Sequence, residues 1–190
     1  MATILVVSRT KMSNGVCVGA IVESTGELIR LHTDKGANLP ADAPSQIGDR
    51  WEVNFKTSWR VRPIPHIEDK DTIFLSKLDN VGVNGIIQYI NTHNLGNKLV
   101  RDNLNNAFEG CLHLEGNNNY INRDKIPHFS TQFWVADRDL THLVYFDKHY
   151  YMYGNIRIRF VGLQECVDRI PAGTIIRISL ANWWHREGAE

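Results

Sequence analysis

Aromatic and cationic side chains alternate in one short segment of the chain, "KTSWRVR". Single-stranded nucleic acid is bound by aromatic rings on which bases stack, beside cations that contact the phosphates. The composition of this segment therefore favours a nucleic-acid contact, and its candidate residues are Lys56, Trp59, Arg60 and Arg62. The alternative interpretation is that Trp59 fills a gap in the core while the arginines pair with acidic residues.

A second group of candidate cations lies on strands. The segment "NIRIRF" sets Arg157 and Arg159 two residues apart, so both point to the same face of a strand. We expect Arg177, in the strand "GTIIRISL", to join them from a neighbouring strand. Three arginines on one face predict a surface for a phosphate backbone, and exposed arginines without a partner are the other interpretation.

Two adjacent tryptophans follow that last strand. Neighbouring side chains of a strand point to opposite faces, so Trp184 and Trp183 cannot enter the same core. If Trp184 is buried, Trp183 lies on the face of Arg177. There it is a stacking platform, a cation–π partner of the arginines, or a cover for the seam between two modules.

Acidic and histidine residues cluster in two short segments. "PHIED" contains His66, Glu68 and Asp69, and "ADRDL" contains Asp137 and Asp139. A metal site needs three or four convergent ligands, and neither segment has the spacing of a known ligand motif. We interpret the first as an exposed loop whose carboxylates cap a helix or bind arginines, and the second as a salt-bridged turn. The sequence thus predicts no catalytic residues, no metal, no cofactor and no nuclease activity.

Composition narrows the class of protein. The 21 basic and 21 acidic residues cancel, which disfavours a sequence-blind DNA coat protein. The three cysteines lack a paired spacing, as is typical of a protein in a reducing compartment: Cys17, Cys111 and Cys166. We interpret the isolated histidines His128 and His142 as structural. No apolar run has the length of a transmembrane helix or the flanks of a signal peptide. These features predict a cytoplasmic protein without membrane contact.

Strand signals dominate the pattern of the chain. β-branched runs alternate with glycine turns at both ends, whereas "NGIIQYINTH" and "GNKLVRDNLNNAFEG" have helical spacing. We predict a mostly β protein of two OB-like small β-barrels packed together, with a short helical insertion in the middle; one β-rich domain with that insertion is the alternative. The predicted units are 1–70 for the first barrel, 71–130 for the helical and loop insertion, and 131–190 for the second barrel, with strands that the barrels may share.

Several phrases together resemble the dual OB-domain proteins of bacterial genomes. They are "ILVVSRTKMSNGVCVGAI", "APSQIGDRWEV", "PHIED", "WVADRDL" and "IPAGTIIRISLANWW", spread over both ends of the chain. The resemblance implies a pair of OB-like barrels and a nucleic-acid or nucleotide-binding role. It implies no catalytic residues.

Together these observations predict a non-catalytic binding module for single-stranded DNA or RNA, or for a nucleotide-containing ligand. The first alternative is an adaptor that docks a protein partner within a bacterial multi-protein, defence-type system. A nucleic-acid-processing enzyme that uses the acidic and histidine segments is the less favoured alternative. The predicted binding residues are Lys56, Trp59, Arg60, Arg62, Arg157, Arg159, Arg177 and Trp183.

Overall fold

The computed structural model of the chain describes residues 1–58, 64–115 and 118–181. Strands make up 49% of the described residues and helices 12%, so the predicted mostly β class is confirmed. Among the described residues, no helix has the length and apolarity needed to cross a membrane. The cytoplasmic location stays a prediction.

The first five strands form a closed barrel in the order β1-β2-β3-β5-β4. Strands β3 and β5 run parallel, and the other neighbouring pairs are antiparallel. Alternate side chains fill the interior, as the two-residue period of a strand requires. The last barrel strand continues past residue 70, and the division of the chain into domains stays a prediction. The strands are β1 (Ala2–Met12), β2 (Gly15–Val22), β3 (Leu28–His32), β4 (Asp49–Thr57) and β5 (Asp69–Asn80).

The predicted short helical insertion follows the barrel. Helix α1 (Gly82–Thr92) buries Ile86 and Ile90, whose spacing of four places them on one side of the helix. The second predicted helical segment is instead broken into two 3₁₀ turns and the four-residue α2 (Ala107–Gly110). Asparagine side chains explain the break, because Asn103 accepts a hydrogen bond from the backbone N–H of Asn105 and so competes with a regular helix.

The remaining strands form sheets of four, three and two strands. The four-stranded sheet has the order β12-β11-β10-β13, the three-stranded sheet β14-β9-β6, and the two-stranded sheet β7-β8. They enclose one core around Trp134, whose Nε1–H donates to the carbonyl of Asp102 at 2.9 Å. The strands are β6 (Leu99–Val100), β7 (Leu112–Glu115), β8 (Asn118–Ile121), β9 (Thr131–Val135), β10 (Leu140–Tyr145), β11 (Lys148–Tyr153), β12 (Ile156–Arg159), β13 (Arg169–Ile170) and β14 (Ile175–Ser179).

The predicted pairing of the two arginine strands is wrong. Strand β14 pairs with β9, in the register of Arg177 with Phe133, whereas β12 pairs with β11. Short hairpins join β10, β11 and β12, which leaves β12 at the edge of its sheet. The chain returns to that sheet as β13, which pairs with β10 on the opposite edge, and only then continues into β14, which lies in a different sheet.

The barrel and the second half share a hydrophobic seam. Side chains on the outer surface of β1, β2 and β3 pack against α1 and against β9, and this packing removes part of the barrel surface from water. The buried residues of the seam are Leu5, Ile21, Leu28, Ile86, Ile90, Leu95 and Phe133. The seam fixes the position of the second half relative to the barrel.

Candidate functional site

One surface of the four-stranded sheet combines tyrosines and arginines. In the register of β11 with β12, Tyr150 lies opposite Arg159 and Met152 lies opposite Arg157. The guanidinium carbon of Arg157 lies 4.5 Å from the ring centroid of Tyr145 and 5.8 Å from that of Tyr150. These distances are those of cation–π contacts. We call this surface the tyrosine–arginine face: Tyr145, Lys148, Tyr150, Arg157 and Arg159.

The tyrosine–arginine face is open to solvent. Tyr145 is 45% exposed, and Phe146 in the adjacent hairpin turn is 80% exposed. Lys148 and Arg159 are exposed as well. Within the part of the chain that the structure describes, no carboxylate forms an ion pair with a cation of this face. The positive charge of the face is therefore available to an anionic ligand.

Buried tyrosines support this face from behind. The hydroxyl of Tyr151 donates to the carbonyl of Val167 and accepts from its N–H, both at 3.0 Å. The hydroxyl of Tyr153 donates to Asp137 at 3.0 Å. Burial raises the pKa of both phenols, and the hydrogen bond to Asp137 adds to the rise for Tyr153. Both hydroxyls therefore stay protonated donors, and they hold strand β11 in place.

The two aspartates of "ADRDL" are part of this framework. Asp137 accepts from Tyr153 and pairs with Arg138 at 3.3 Å. Asp139 accepts from the backbone N–H of Ala172 and pairs with Arg169, and these contacts lower the pKa of Asp139. Both carboxylates thus hold neighbouring strands and turns together, as a salt-bridged turn does.

Arg177 lies away from the tyrosine–arginine face. Its guanidinium carbon would lie 2.7 Å from a Cβ placed on Gly19 of the barrel, and its Nη2 is buried with no hydrogen-bond partner in the described structure. Burial lowers the pKa of Arg177. The expectation that Arg177 joins Arg157 and Arg159 is therefore wrong, because the outer surface of β2 covers it.

The other predicted binding residues fall into two groups. Lys56 is exposed near the end of β4, where it lies opposite Asp71 in the register of β4 with β5. It therefore belongs to the barrel and not to the four-stranded sheet. The remaining predicted residues lie outside the described residues: Trp59, Arg60, Arg62 and Trp183.

A buried cluster of charged side chains covers the outside of β3 and β5. The Nε–H of Arg30 donates to Asp69 at 2.7 Å, and His32 Nε2 lies 3.3 Å from the same carboxylate oxygen. His66 Nδ1 lies 3.4 Å from Arg30 Nη2. Both oxygens of Asp71 and Nδ1 of His32 are buried without a partner among the described residues. Such groups are costly to bury unpaired, so this cluster is a second candidate for a ligand contact.

Glu68 of "PHIED" connects this cluster to the second half. Its carboxylate accepts from the N–H of Ser130 at 2.6 Å, from the Ser130 hydroxyl at 2.8 Å and from the N–H of Thr131 at 3.0 Å. Because Asp69 is paired with Arg30, both carboxylates of this segment have protein partners. The expected contact with an arginine is present at Asp69, but the expected exposed loop is wrong, because His66, Glu68 and Asp69 are all buried and Asp69 begins β5.

A third cluster consists of potential metal ligands, and it was not predicted from the sequence. The ligand atoms of His142, His149 and Cys166 all lie within 4.8 Å of one another. A hairpin with a two-residue turn at Phe146 and Asp147 brings the two histidines to one side of the sheet. The signal in the sequence is the spacing of His142 and His149 about that turn, whereas Cys166 has no local signal.

Comparisons with known proteins identify no relative of this chain: no family model, no curated protein and no solved structure matches it.

Proposed function

We propose that this protein is a non-catalytic binding module that recognises single-stranded nucleic acid on its tyrosine–arginine face. The observation that carries the proposal is the position of the Arg157 guanidinium, 4.5 Å from the Tyr145 ring centroid on an exposed sheet surface. Tyrosine rings accept stacked bases, and the cations beside them contact the phosphates. Because no carboxylate of the described residues forms an ion pair with the cations of this face, the face favours an anionic ligand.

The charge of the protein predicts how such binding depends on salt. The chain has no net charge, so long-range attraction of a polyanion is weak and the contacts are local. If Lys148, Arg157 and Arg159 each contact one phosphate, the logarithm of the binding constant should fall with the logarithm of salt concentration with a slope of about −2, at about −0.7 for each contact. Modest affinity and a shallow salt dependence follow.

The barrel itself supports an OB-like assignment. Its strand order β1-β2-β3-β5-β4, with β3 parallel to β5, fits the five-stranded Greek-key barrel of that fold. OB-folds bind oligonucleotides on the face of their second and third strands. Here Arg177 lies against Gly19 and so covers part of that face. This covering supports placing the ligand on the four-stranded sheet instead. From the sequence phrases quoted above we propose membership of the dual OB-domain family. From the three cysteines that lack a paired spacing we propose a cytoplasmic location.

Fluorescence anisotropy with short labelled oligonucleotides, titrated over a range of KCl concentrations, tests the proposal. We expect wild-type protein to bind single-stranded DNA or RNA more tightly than duplex, and Arg159→Ala to make the salt slope shallower by about 0.7. Arg101→Ala is the matched control, because Arg101 is exposed and donates to Asn91 away from the face. A mononucleotide competitor separates nucleotide binding from strand binding. If wild-type protein binds no single-stranded oligonucleotide at low salt, the proposal is ruled out.

A protein-interaction adaptor is the second candidate function, and the tip of the β10–β11 hairpin favours it. The consecutive residues Val144, Tyr145 and Phe146 are 52%, 45% and 80% exposed, and a contiguous apolar patch of this kind is a mark of an interaction site. Phe146→Ser should abolish capture of a protein partner and leave oligonucleotide affinity unchanged if this function is correct. Equal loss of both would assign the hairpin tip to nucleic-acid binding.

A further inference from the structure

We infer that His142, His149 and Cys166 form a binding site for a divalent transition metal of the zinc class. Their three ligand atoms lie within 4.8 Å of one another, and His142 Nε2 is 2.9 Å from His149 Nδ1. The sequence alone predicts no metal, because neither acidic segment has the spacing of a ligand motif and His142 is interpreted there as structural.

The distances suit a metal ion. Zinc bonds of about 2.0–2.1 Å to nitrogen and about 2.3 Å to sulfur place tetrahedral ligand atoms roughly 3.3–3.8 Å apart. The two ring nitrogens therefore need to separate by only about 0.4 Å to admit the ion between them. Without a metal, one ring must donate a proton to the other across this contact. On binding, the metal takes the place of that proton, and the thiol of Cys166 releases its own proton to become a ligand.

The fold holds the three side chains in place before any ion binds. In the register of β10 with β11, Val144 lies opposite His149 and His142 lies opposite Tyr151, so both histidines face the same side. Their rings are stacked, with planes 9° apart. Hydrogen bonds flank Cys166, since Val167 is bonded through both backbone groups to the Tyr151 hydroxyl and Asp168 accepts from the N–H of His142 at 2.8 Å. The histidines need little rearrangement, and the Cys166 sulfur, up to 4.8 Å from the imidazole nitrogens, moves toward them by up to about 1.2 Å on binding.

The ligand types select the class of metal. Imidazole and thiolate favour Zn²⁺, and with it Co²⁺ as a probe, whereas Mg²⁺ and Ca²⁺ prefer oxygen ligands. Three protein ligands leave a fourth tetrahedral position for water. His149 is exposed and Cys166 is partly exposed, so an ion can reach the site from solvent.

The site lies on the reverse side of the hairpin that carries the tyrosine–arginine face. Tyr145 and Tyr150 alternate with the histidine positions along β10 and β11, so they point to the opposite surface. A metal there would join β10 and β11 to the segment around Cys166 without touching the nucleic-acid ligand. The inference thus stands apart from the proposed function, and either can fail alone.

Titration of reduced, metal-free protein with Co²⁺ tests the site. We expect thiolate-to-cobalt charge-transfer absorption that saturates at one equivalent and disappears when Zn²⁺ is added. Cys166→Ser should abolish this absorption, and His149→Asn should weaken Co²⁺ binding at least tenfold. The matched controls Cys17→Ser and His128→Asn should retain wild-type absorption, because both residues lie outside the cluster.

Alkylation of wild-type protein keeps the test independent of how the variants fold. Zn²⁺ should slow the reaction of iodoacetamide with Cys166, followed by mass spectrometry, and leave the reaction at Cys17 unchanged. Absence of charge-transfer absorption in the wild type, or equal alkylation of Cys166 with and without Zn²⁺, would overturn the inference.

Discussion

Arg177 of β14 lies directly against Gly19 of β2, and its guanidinium carbon is 2.7 Å from where a Cβ on Gly19 would be. A Cβ on Gly19 would overlap the guanidinium in this position, so a larger residue there would require the Arg177 head group to shift, which gives this strand glycine a packing reason. The contact joins the barrel to the three-stranded sheet. It also covers part of the outer surface of β2.

Gly19→Ala should destabilise the protein by about 1–3 kcal/mol, because the added methyl group overpacks the contact. Part of that loss should return in the double variant Gly19→Ala/Arg177→Ala, which removes the guanidinium but leaves the Ser8 hydroxyl nearby. Urea unfolding of the four proteins gives the coupling free energy. Strictly additive effects of the two substitutions would contradict the contact.

Glu68→Ala should cost about 3 kcal/mol or more, because the backbone N–H groups of Ser130 and Thr131 would remain buried without an acceptor. Thermal and urea unfolding measure the loss. Glu165→Ala is the control, since Glu165 is exposed and should leave stability within about 0.5 kcal/mol of wild type. Two glutamate variants of equal stability would show that Glu68 does not join the two halves.

Asp49 should contribute stability that is lost in acid. Burial acts to raise the pKa of Asp49, but hydrogen bonds from Lys77 and Asn80 and from the backbone N–H of Gln46 outweigh it, so the pKa is lowered. Lys77 Nζ lies 2.7 Å from the carboxylate. A carboxylate with a lowered folded-state pKa stabilises the protein at pH values above its unfolded-state pKa of about 3.9. This stabilisation is lost as the pH falls through the folded-state pKa.

The measurement compares urea unfolding of wild type and Asp49→Asn at neutral pH and at about pH 3. We expect the variant to be less stable at neutral pH by about 1–3 kcal/mol, and the difference to shrink in acid. A difference that is the same at both pH values, or that grows in acid, would contradict this sign.

Much of the fold could be predicted from local patterns. The β-branched run "ATILVVS" forms the buried strand β1, and the helical spacing of Ile86 and Ile90 is present in α1, because burial leaves an apolar pattern in the sequence. The pairing of β14 with β9 could not be predicted, since strand alternation is the same whichever neighbour a strand selects. The error placed Arg177 with the wrong arginines.

The candidate sites were predictable only where they are local. Arg157 and Arg159 share a strand, so their common face followed directly from their spacing. Tyr145 and Tyr150 were not recognised as their neighbours, because that contact depends on the hairpin register. Cys166 meets His142 only through the packing of a loop, for which the sequence carries no periodic signal.

Tyr150→Ala should weaken single-strand binding by about 1–3 kcal/mol if a base stacks on that ring, with little change in the salt slope. Tyr150→Phe should bind almost as well as wild type, because stacking needs the ring and not the hydroxyl. Tyr120→Ala is the control for an exposed tyrosine on another sheet, β8. Anisotropy titrations measure all four proteins. Equal affinity of Tyr150→Ala and wild type would argue against stacking there.

Photocrosslinking tests the position of the ligand most directly. A single-stranded oligonucleotide that carries 5-iodouracil is irradiated with wild-type protein, and the attached peptide is located by mass spectrometry. We expect attachment within the β10–β11 hairpin, at Tyr145, Phe146 or Tyr150, because these are the accessible aromatic rings of the proposed site. Attachment confined to residues of the barrel, or none at low salt, would contradict binding on the tyrosine–arginine face.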